Sequence, residues 1–181
     1  MVIAFAGRRV DAPNASPARF PAGNVAAVRD RIRGVLADLV ATAIVASGAC
    51  GADLIALDVA LELGLRCAIV LPWDVDAFRA ASVVDRGAEW GMVFDRVVEG
   101  ARSGGDLYTL GRPVDDEGAF LATNEAILDV ALALARERQP TDGVVAVVAW
   151  DGAARGADDV TERFMASTRK RGIGIVEVGT N

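Results

Sequence analysis

Two kinds of hydrophobic pattern alternate along this chain. Short, mostly apolar runs predict buried strands at 2–6, 42–46, 66–71, 144–149 and 173–178. Between them, apolar residues recur every three or four positions and predict helices at 24–39, 52–63, 76–86, 88–101, 117–138 and 158–171. Strands that are apolar on both faces and separated by helices form parallel sheets with helices on each side. The pattern therefore predicts an α/β protein with three layers, α/β/α, around a mainly parallel sheet.

A single domain accounts for the whole pattern. The chain has 181 residues, a length typical of one domain, and none of its segments has the composition of an interdomain linker. The turn-rich segment 103–113 is interpreted as a surface loop. We therefore expect residues 1–181 to fold as one unit.

The composition narrows the range of partners. With 19 Lys and Arg against 25 Asp and Glu, the formal charge is −6, so no net basic field attracts a nucleic acid. No run of about 18 apolar residues predicts a membrane span, and the N-terminus lacks the basic segment of a signal peptide. Two cysteines without a framework spacing indicate a reducing compartment. We expect a cytoplasmic protein without a membrane partner, and we disfavour a nucleic-acid partner.

The chain contains no histidine, which excludes several chemistries. A Ser-His-Asp or Cys-His catalytic machine and an imidazole metal site are ruled out. Acid–base chemistry would depend on carboxylates, a cysteine, Tyr108 or Lys170, the only lysine. Asp151, Asp158 and Asp159 would together suit Mg²⁺, but their spacing is not diagnostic. We predict no tight metal site and no cofactor.

Two glycine-containing loops each connect a strand to the following helix. The first covers residues 48–53 and the second covers residues 152–158. Small residues let backbone amides approach a ligand, and the helix N-terminus that follows favours an anion. The predicted ligand contacts in these loops are Ser47, Gly48, Ala49, Gly51, Asp53 and Gly152. The alternative is a pair of tight turns whose acids only favour the helix N-termini.

Other side chains are predicted at the same edge of the sheet, where parallel strands end and ligands bind. Gly7, Arg9 and Asp11 follow the first strand, and Arg9 would serve as the counter-charge of a phosphate. Asp11 and Asp151 would contact ribose hydroxyls, and Trp73 or Asn124 would contact the base. An exposed charged loop, a core tryptophan and a surface asparagine are the alternatives that the sequence leaves open.

Taken in order, these motifs resemble the SLOG superfamily, which joins DNA-processing protein A, the Lonely Guy phosphoribohydrolases and sensor domains of channels and bacterial defence systems. The matching segments are residues 7–11, 19–21, 47–53, 69–72, 78, 82–83, 124–128, 150–152 and 161. The resemblance implies a Rossmann-like domain that binds a nucleotide or a nucleotide-derived ligand such as ADP-ribose. It adds Pro72 and Thr161 to the expected ligand contacts.

The chain departs from the superfamily where catalysis would be expected. Arg8 stands where the first loop often has histidine, and Phe164 stands where the Lonely Guy enzymes carry their catalytic glutamate. The leading hypothesis is therefore a sensor domain that binds a ligand of the ADP-ribose or nucleoside-monophosphate type. The alternative is a nucleoside 5′-monophosphate N-glycosidase that uses Glu125 or Glu162 as its carboxylate.

A third hypothesis is an interaction module or a partner in DNA handling. It would need a basic or apolar face, which the acidic charge balance disfavours. Domains of the superfamily often pair through helices, and a sensor acts on an effector. The resemblance therefore implies a homodimer and an effector partner.

Overall fold

The computed structural model describes residues 1–138, 143–156 and 158–181. Within this part of the chain, the strands are β1 Val2–Gly7, β2 Ala43–Ala46, β3 Arg66–Leu71, β4 Leu107–Thr109, β5 Val144–Trp150 and β6 Gly174–Gly179. The α-helices are α1 Val25–Asp38, α2 Ala52–Glu62, α3 Val75–Ser82, α4 Glu89–Ser103, α5 Ala119–Arg138 and α6 Val160–Lys170. Short 3₁₀ turns at Ala22–Asn24 and Val84–Arg86 precede α1 and α4.

One sheet, in the order β4-β3-β2-β1-β5-β6, contains these strands, and every neighbouring pair is parallel. Val2 of β1 pairs with Ala43 of β2 on one side and with Val144 of β5 on the other, so β1 is a central strand. The chain adds strands outward from β1 as far as β4 and then crosses back to add β5 and β6. This doubly wound order confirms the predicted Rossmann-like α/β fold class.

Successive residues of β1 face opposite layers of the protein, as the pleat of a strand requires. Ile3 and Phe5 lie in a core with residues of α1, α2 and α4. Val2 and Ala4 lie in a second core with residues of α5 and α6. The sheet is therefore covered on both faces, which is why its central strands are apolar at every position.

The segment 103–113 differs from its predicted loop structure. Leu107–Thr109 forms an edge strand that pairs in parallel with Ile69–Leu71, so the prediction of a loop was wrong there. Arg66 anchors the start of this strand through two hydrogen bonds to Asp106, at 2.8 Å from Nε and 2.7 Å from Nη2. A half-exposed strand of three residues produces no apolar run, so the hydrophobic pattern does not reveal it.

The helix predicted over 76–86 ends at Ser82, and the chain continues as the 3₁₀ turn at Val84–Arg86. In the described residues, no helix combines the length and apolar character needed to cross a membrane.

Candidate functional site

A cavity of about 490 Å³ opens where the strand order reverses, between the loops that follow β1 and β5. This switch point at the carboxyl ends of the strands is where doubly wound sheets bind ligands. The described residues that line it come from three strand ends and from α2, α3, α5 and α6. They are Ala6, Gly7, Arg8, Arg9, Ser47, Ala49, Asp53, Ser82, Phe120, Thr123, Asn124, Ile127, Arg155, Gly156, Asp158, Asp159, Val160 and Thr161.

The first glycine loop brings backbone into close contact with backbone. A Cβ atom on Gly51, whose φ is +105°, would lie 2.5 Å from the amide nitrogen of Val10 and 2.8 Å from the carbonyl oxygen of Arg8. A Cβ on Gly7 would lie 2.5 Å from that of Ala52. Only glycine fits either position, because the start of α2 is packed against the end of β1. These glycines therefore have a packing role.

Hydrogen bonds within the protein already engage several amides of this loop. The amide of Cys50 donates to the carbonyl of Ser82 at 2.9 Å, and the amide of Ala52 donates to the carbonyl of Arg8 at 3.0 Å. The predicted row of free amides is thus partly used in holding α2 and α3 to β1. Ala49 of this loop and Asp53 at the start of α2 line the cavity.

Asp53 is a buried carboxylate with one partnered and one unpartnered oxygen. Its Oδ2 accepts a hydrogen bond of 2.6 Å from the Ser47 hydroxyl, whereas its Oδ1 has no partner anywhere in the described part of the chain. Burial raises the pKa of Asp53 to about 6, although the Ser47 hydroxyl and the amides of Ala49, Gly7 and Gly48 act to lower it. A buried acceptor without a donor calls for an explanation, and here it lies at a cavity wall.

Arg8, the residue that the sequence analysis did not select, is almost fully buried and lies beside Trp150. Its Nη1 donates to both oxygens of Asp159, at 2.8 and 2.7 Å, and its Nε donates to Asp151 at 3.0 Å. Its Nη2 donates to the carbonyl of Ala153 at 2.6 Å. Arg8 therefore fastens the loop after β5 to the end of β1, and its charge is neutralised within the protein.

Asp159 caps helix α6 as well as pairing with Arg8. Its Oδ1 accepts hydrogen bonds from the amides of Thr161 and Glu162, and its Oδ2 accepts one from the amide of Arg155. Desolvation alone would raise the pKa of Asp159, but the Arg155 amide and the Arg8 guanidinium outweigh it and lower the pKa. Asp159 stays ionised, and it fills the helix N-terminus that an external anion would otherwise approach.

Arg155 provides a free positive charge at this cavity. The residue is exposed, and its guanidinium has no hydrogen-bond or ion-pair partner among the residues that the structure describes. Desolvation and the positive charges of Arg8 and Arg19 lower the pKa of Arg155 from its ordinary value, against the attraction of Asp159 and Asp11. Gly156, which follows it with a φ of +127°, also lines the cavity. Ala157, predicted as part of this second glycine loop, lies outside the described residues.

Arg9 lines the cavity with its charge already paired. Its Nη2 donates to Asp85, and its Nε and Nη2 donate to the thiol sulfur of Cys50 at 3.4 and 3.3 Å. Burial raises the pKa of the Cys50 thiol despite the neighbouring charge of Arg9. Arg9 can still contribute field to an anion, but it is less available than Arg155.

Helix α5 supplies the wall opposite the strand ends. Asn124 is buried and donates from Nδ2 to the carbonyl of Val160 at 2.9 Å, while Thr123 donates to the carbonyl of Ala119 at 2.9 Å. Phe120 and Ile127 add apolar surface on the same side. The aromatic ring of Phe120 and the amide oxygen of Asn124 could contact a base.

The structure brings seven of the sequence-predicted contacts together around the cavity: Gly7, Arg9, Ser47, Ala49, Asp53, Asn124 and Thr161. Two of the others lie in neighbouring loops. Asp11 accepts hydrogen bonds from the amides of Arg19 and Phe20, both at 2.8 Å. Asp151 pairs with Arg8 and Arg19. Gly152 is exposed and does not line the cavity.

Residues on the other side of the first loop belong to the core. Gly48 faces Leu57 and Phe94, and Pro72 is buried at the end of β3. Trp73 packs edge-on against Phe120 at a centroid distance of 5.4 Å and donates from its indole nitrogen to the carbonyl of Pro113 at 2.9 Å. Of the two interpretations of Trp73, its position corresponds to the core tryptophan.

The two glutamates predicted as catalytic carboxylates lie outside the cavity lining. Glu125 is exposed on α5 and accepts hydrogen bonds from Ser167 and Arg171, which lower its pKa. Glu162 is half-exposed on α6 and pairs with Arg169 at 3.5 Å. Asp53 is the carboxylate that lines the cavity without an ionic partner among the described residues.

Comparison with known proteins identifies no family for this chain. No model of a known protein family matches it, and no curated protein matches it. Among solved structures, the chain is similar to DNA processing protein A. The solved structure of that protein, from Streptococcus pneumoniae, superposes with a TM-score of 0.45 and 16% sequence identity. The match covers 98% of this chain and 58% of the other, so this chain spans little more than half of that protein.

Proposed function

We propose that this protein is a SLOG-type sensor domain that binds a nucleotide or nucleotide-derived ligand of the ADP-ribose or nucleoside-monophosphate type. The observation that carries the proposal is a pair of unmatched groups at one cavity. Among the described residues, the guanidinium of Arg155 has no hydrogen-bond or ion-pair partner, and Oδ1 of Asp53 is a buried acceptor without a hydrogen-bond donor. A ligand with an anionic group and hydroxyl donors satisfies both.

The cavity has the size and composition of a small-molecule site. Its volume of about 490 Å³ lies within the range of roughly 300–1,000 Å³ typical of such sites. A phosphate would lie at Arg155 and Gly156, where a guanidinium and a small residue meet. A sugar hydroxyl would reach Asp53. The base would contact Phe120, Ile127 and Asn124.

The proposed phosphate and ribose contacts differ from those predicted from the sequence. The phosphate is assigned to Arg155, since the amides of Cys50 and Ala52 in the first loop are engaged within the protein. The ribose contact is assigned to Asp53, because Asp151 is neutralised by two arginines and Asp11 holds backbone amides. The cytoplasmic location, the homodimer and the effector partner remain part of the proposal.

Isothermal titration with AMP, ADP-ribose, NAD and cyclic ADP-ribose isomers tests the proposal. At least one of these ligands is expected to bind at sub-millimolar concentration. Arg155→Ala is expected to weaken its binding about tenfold or more, since a charge-assisted hydrogen bond is lost. Arg169→Ala is the matched control, because Arg169 lies outside the cavity on α6 and its loss changes the net charge equally. Absence of binding by all four ligands at millimolar concentration contradicts the proposal.

The second candidate is a nucleoside 5′-monophosphate N-glycosidase, and the position of Asp53 favours it. A carboxyl group whose pKa is about 6 can act as an acid or base near neutral pH. In the overall reaction, water adds to the anomeric carbon and the base leaves with a proton, giving ribose 5-phosphate. Incubation with AMP and CMP, followed by chromatography for free base, tests this activity. Asp53→Asn should abolish it, whereas Glu125→Gln and Glu162→Gln should retain it.

A further inference from the structure

Asp53 is fixed in place by the helix that carries it. Every residue of α2 from Ala52 to Ala60 is buried, so this helix has no solvent-facing side toward which Asp53 could turn. The Ser47 hydroxyl holds Oδ2 at 2.6 Å and thereby sets the direction of the second oxygen. Asp53 lines the cavity, and its Oδ1 is a buried oxygen of this wall that is held by the fixed carboxylate.

No described arginine or lysine forms an ion pair with this carboxylate. The two arginines nearest in sequence to the end of β1 are engaged elsewhere, Arg8 with Asp151 and Asp159, and Arg9 with Asp85 and Cys50. Burial of a charged oxygen without a donor is unfavourable, so a molecule that fills the cavity gains by supplying one.

The charges around the cavity indicate what kind of donor that is. Among the described lining residues, three arginines and three aspartates balance each other. Arg8, Arg9 and Asp159 are paired within the protein, so Arg155 is the cation of the cavity wall that has no ion-pair partner among the described residues. A neutral hydroxyl on a molecule whose phosphate reaches Arg155 can pair with Asp53 without bringing a second positive charge into the cavity. The arrangement favours a hydroxyl of a phosphorylated sugar.

We infer that Asp53 Oδ1 accepts a hydrogen bond from a ribose hydroxyl and makes the site select ribonucleotide ligands over their deoxy counterparts. This inference rests on the proposed function and names the residue that determines its sugar specificity. A site built to bind a hydroxyl discriminates strongly against a ligand that lacks it, because the buried acceptor is then left unpaired. Ser47 is a positioning residue, since its hydroxyl holds Oδ2 of Asp53 and thereby orients the carboxylate.

The test compares the tighter binder of AMP and ADP-ribose with its 2′-deoxy and 3′-deoxy forms by isothermal titration. In the wild-type protein, at least one deoxy form is expected to bind about tenfold or more weakly. In Asp53→Asn, the ratio between ribose and deoxyribose forms is expected to fall to about two or less. Asp129→Asn, an exposed change of the same kind on α5, should leave the ratio as in the wild type.

The outcomes separate this inference from the function on which it rests. If the ribose and both deoxy forms bind the wild-type protein equally, the inference is overturned while ligand binding stands. If no nucleotide binds at millimolar concentration, both are overturned. Circular dichroism establishes whether Asp53→Asn is folded. If Asp53→Asn is unfolded, Ser47→Ala takes its place in the comparison. The inference then requires that the affinity ratio between ribose and deoxyribose forms is about tenfold or more in the wild-type protein and falls toward one in Ser47→Ala.

Discussion

The guanidinium of Arg8 and the carboxylate of Asp159 form a buried ion pair, with Nη1 at 2.7 and 2.8 Å from the two carboxylate oxygens. This pair joins the end of β1 to the N-cap of α6 and so closes one side of the cavity. The side chains are 3% and 1% exposed, so each charge is stabilised by its partners in the protein rather than by solvent. The contact is therefore expected to matter more for folding than the surface ion pairs of this protein.

Arg8→Ala is predicted to destabilise the protein by about 3–5 kcal/mol, because it leaves Asp159 charged and buried without its partner. Urea denaturation monitored by circular dichroism measures the change. Arg102→Ala is the control, since Arg102 pairs with Glu99 on the surface of α4 and such pairs contribute roughly 0–1 kcal/mol. Equal midpoints for the two variants would show that the Arg8 pair is not structural.

Gly51→Ala and Gly152→Ala are predicted to differ sharply, although both glycines have positive φ angles. A Cβ at Gly51 would collide with backbone atoms of Val10 and Arg8, whereas no described atom lies within 4 Å of one at Gly152. Gly152→Ala is expected to cost about 1–2 kcal/mol from backbone strain alone. Gly51→Ala should cost clearly more or prevent folding. Thermal unfolding of both variants measures the difference, and similar melting temperatures would contradict it.

Asp53→Asn is predicted to stabilise the unliganded protein at neutral and higher pH. The pKa of Asp53 is about 6 in the folded state against an ordinary value of 3.8. The contribution of Asp53 to the free energy of unfolding is therefore most favourable below pH 3.8, and it is lost as the pH rises to about 6. Ionisation then costs up to about 3 kcal/mol, which an uncharged asparagine avoids.

The measurement for this variant is the free energy of unfolding between pH 3.5 and pH 8. The advantage of Asp53→Asn should be greatest at pH 8 and should vanish near pH 4. Asp58→Asn serves as the comparison on the same helix, since Asp58 is paired with Arg29 and Arg96 and its loss should destabilise at pH 8. A destabilised Asp53→Asn at pH 8 would show that the folded protein compensates this charge.

Glu125→Gln is predicted to leave ligand binding unchanged. Glu125 accepts hydrogen bonds from Ser167 and Arg171 on the surface between α5 and α6, outside the cavity lining. The loss of this exposed pair should cost about 1 kcal/mol or less. Titration of the tightest-binding nucleotide into both proteins checks the prediction, and a tenfold weaker affinity would place Glu125 in the site.

The hydrophobic pattern predicts the layers of this fold better than it predicts the site. β1, β2, β3 and β5 form apolar runs because they are largely buried on both faces, whereas β6 is a partly exposed edge strand that also carries an apolar run. Each of these strands was predicted close to its observed bounds. β4 was not predicted, since an edge strand of three residues is held by pairing with β3 and by Arg66 rather than by apolar burial. Pairing partners distant in sequence leave no local signal.

Contacts between residues distant in sequence also determine which site residues could be predicted from the sequence. Asp53 and Ser47 stand out because they flank a glycine loop after a strand. Which of Arg8 and Arg9 turns inward depends on contacts with Asp151 and Asp159, which lie more than 140 positions away. Arg155 was visible only as one residue of a glycine-rich loop. Its importance follows from a guanidinium that forms no hydrogen bond or ion pair with the described residues, a property that only coordinates reveal.

An acid on a surface helix escapes an unfavourable environment by swinging into solvent. Asp53 has no such exit, because the helix segment around it is enclosed on every side. A ligand that donates a hydrogen bond to this carboxyl is therefore expected to favour its ionised form near neutral pH, so that ligand binding is accompanied by a change in bound protons.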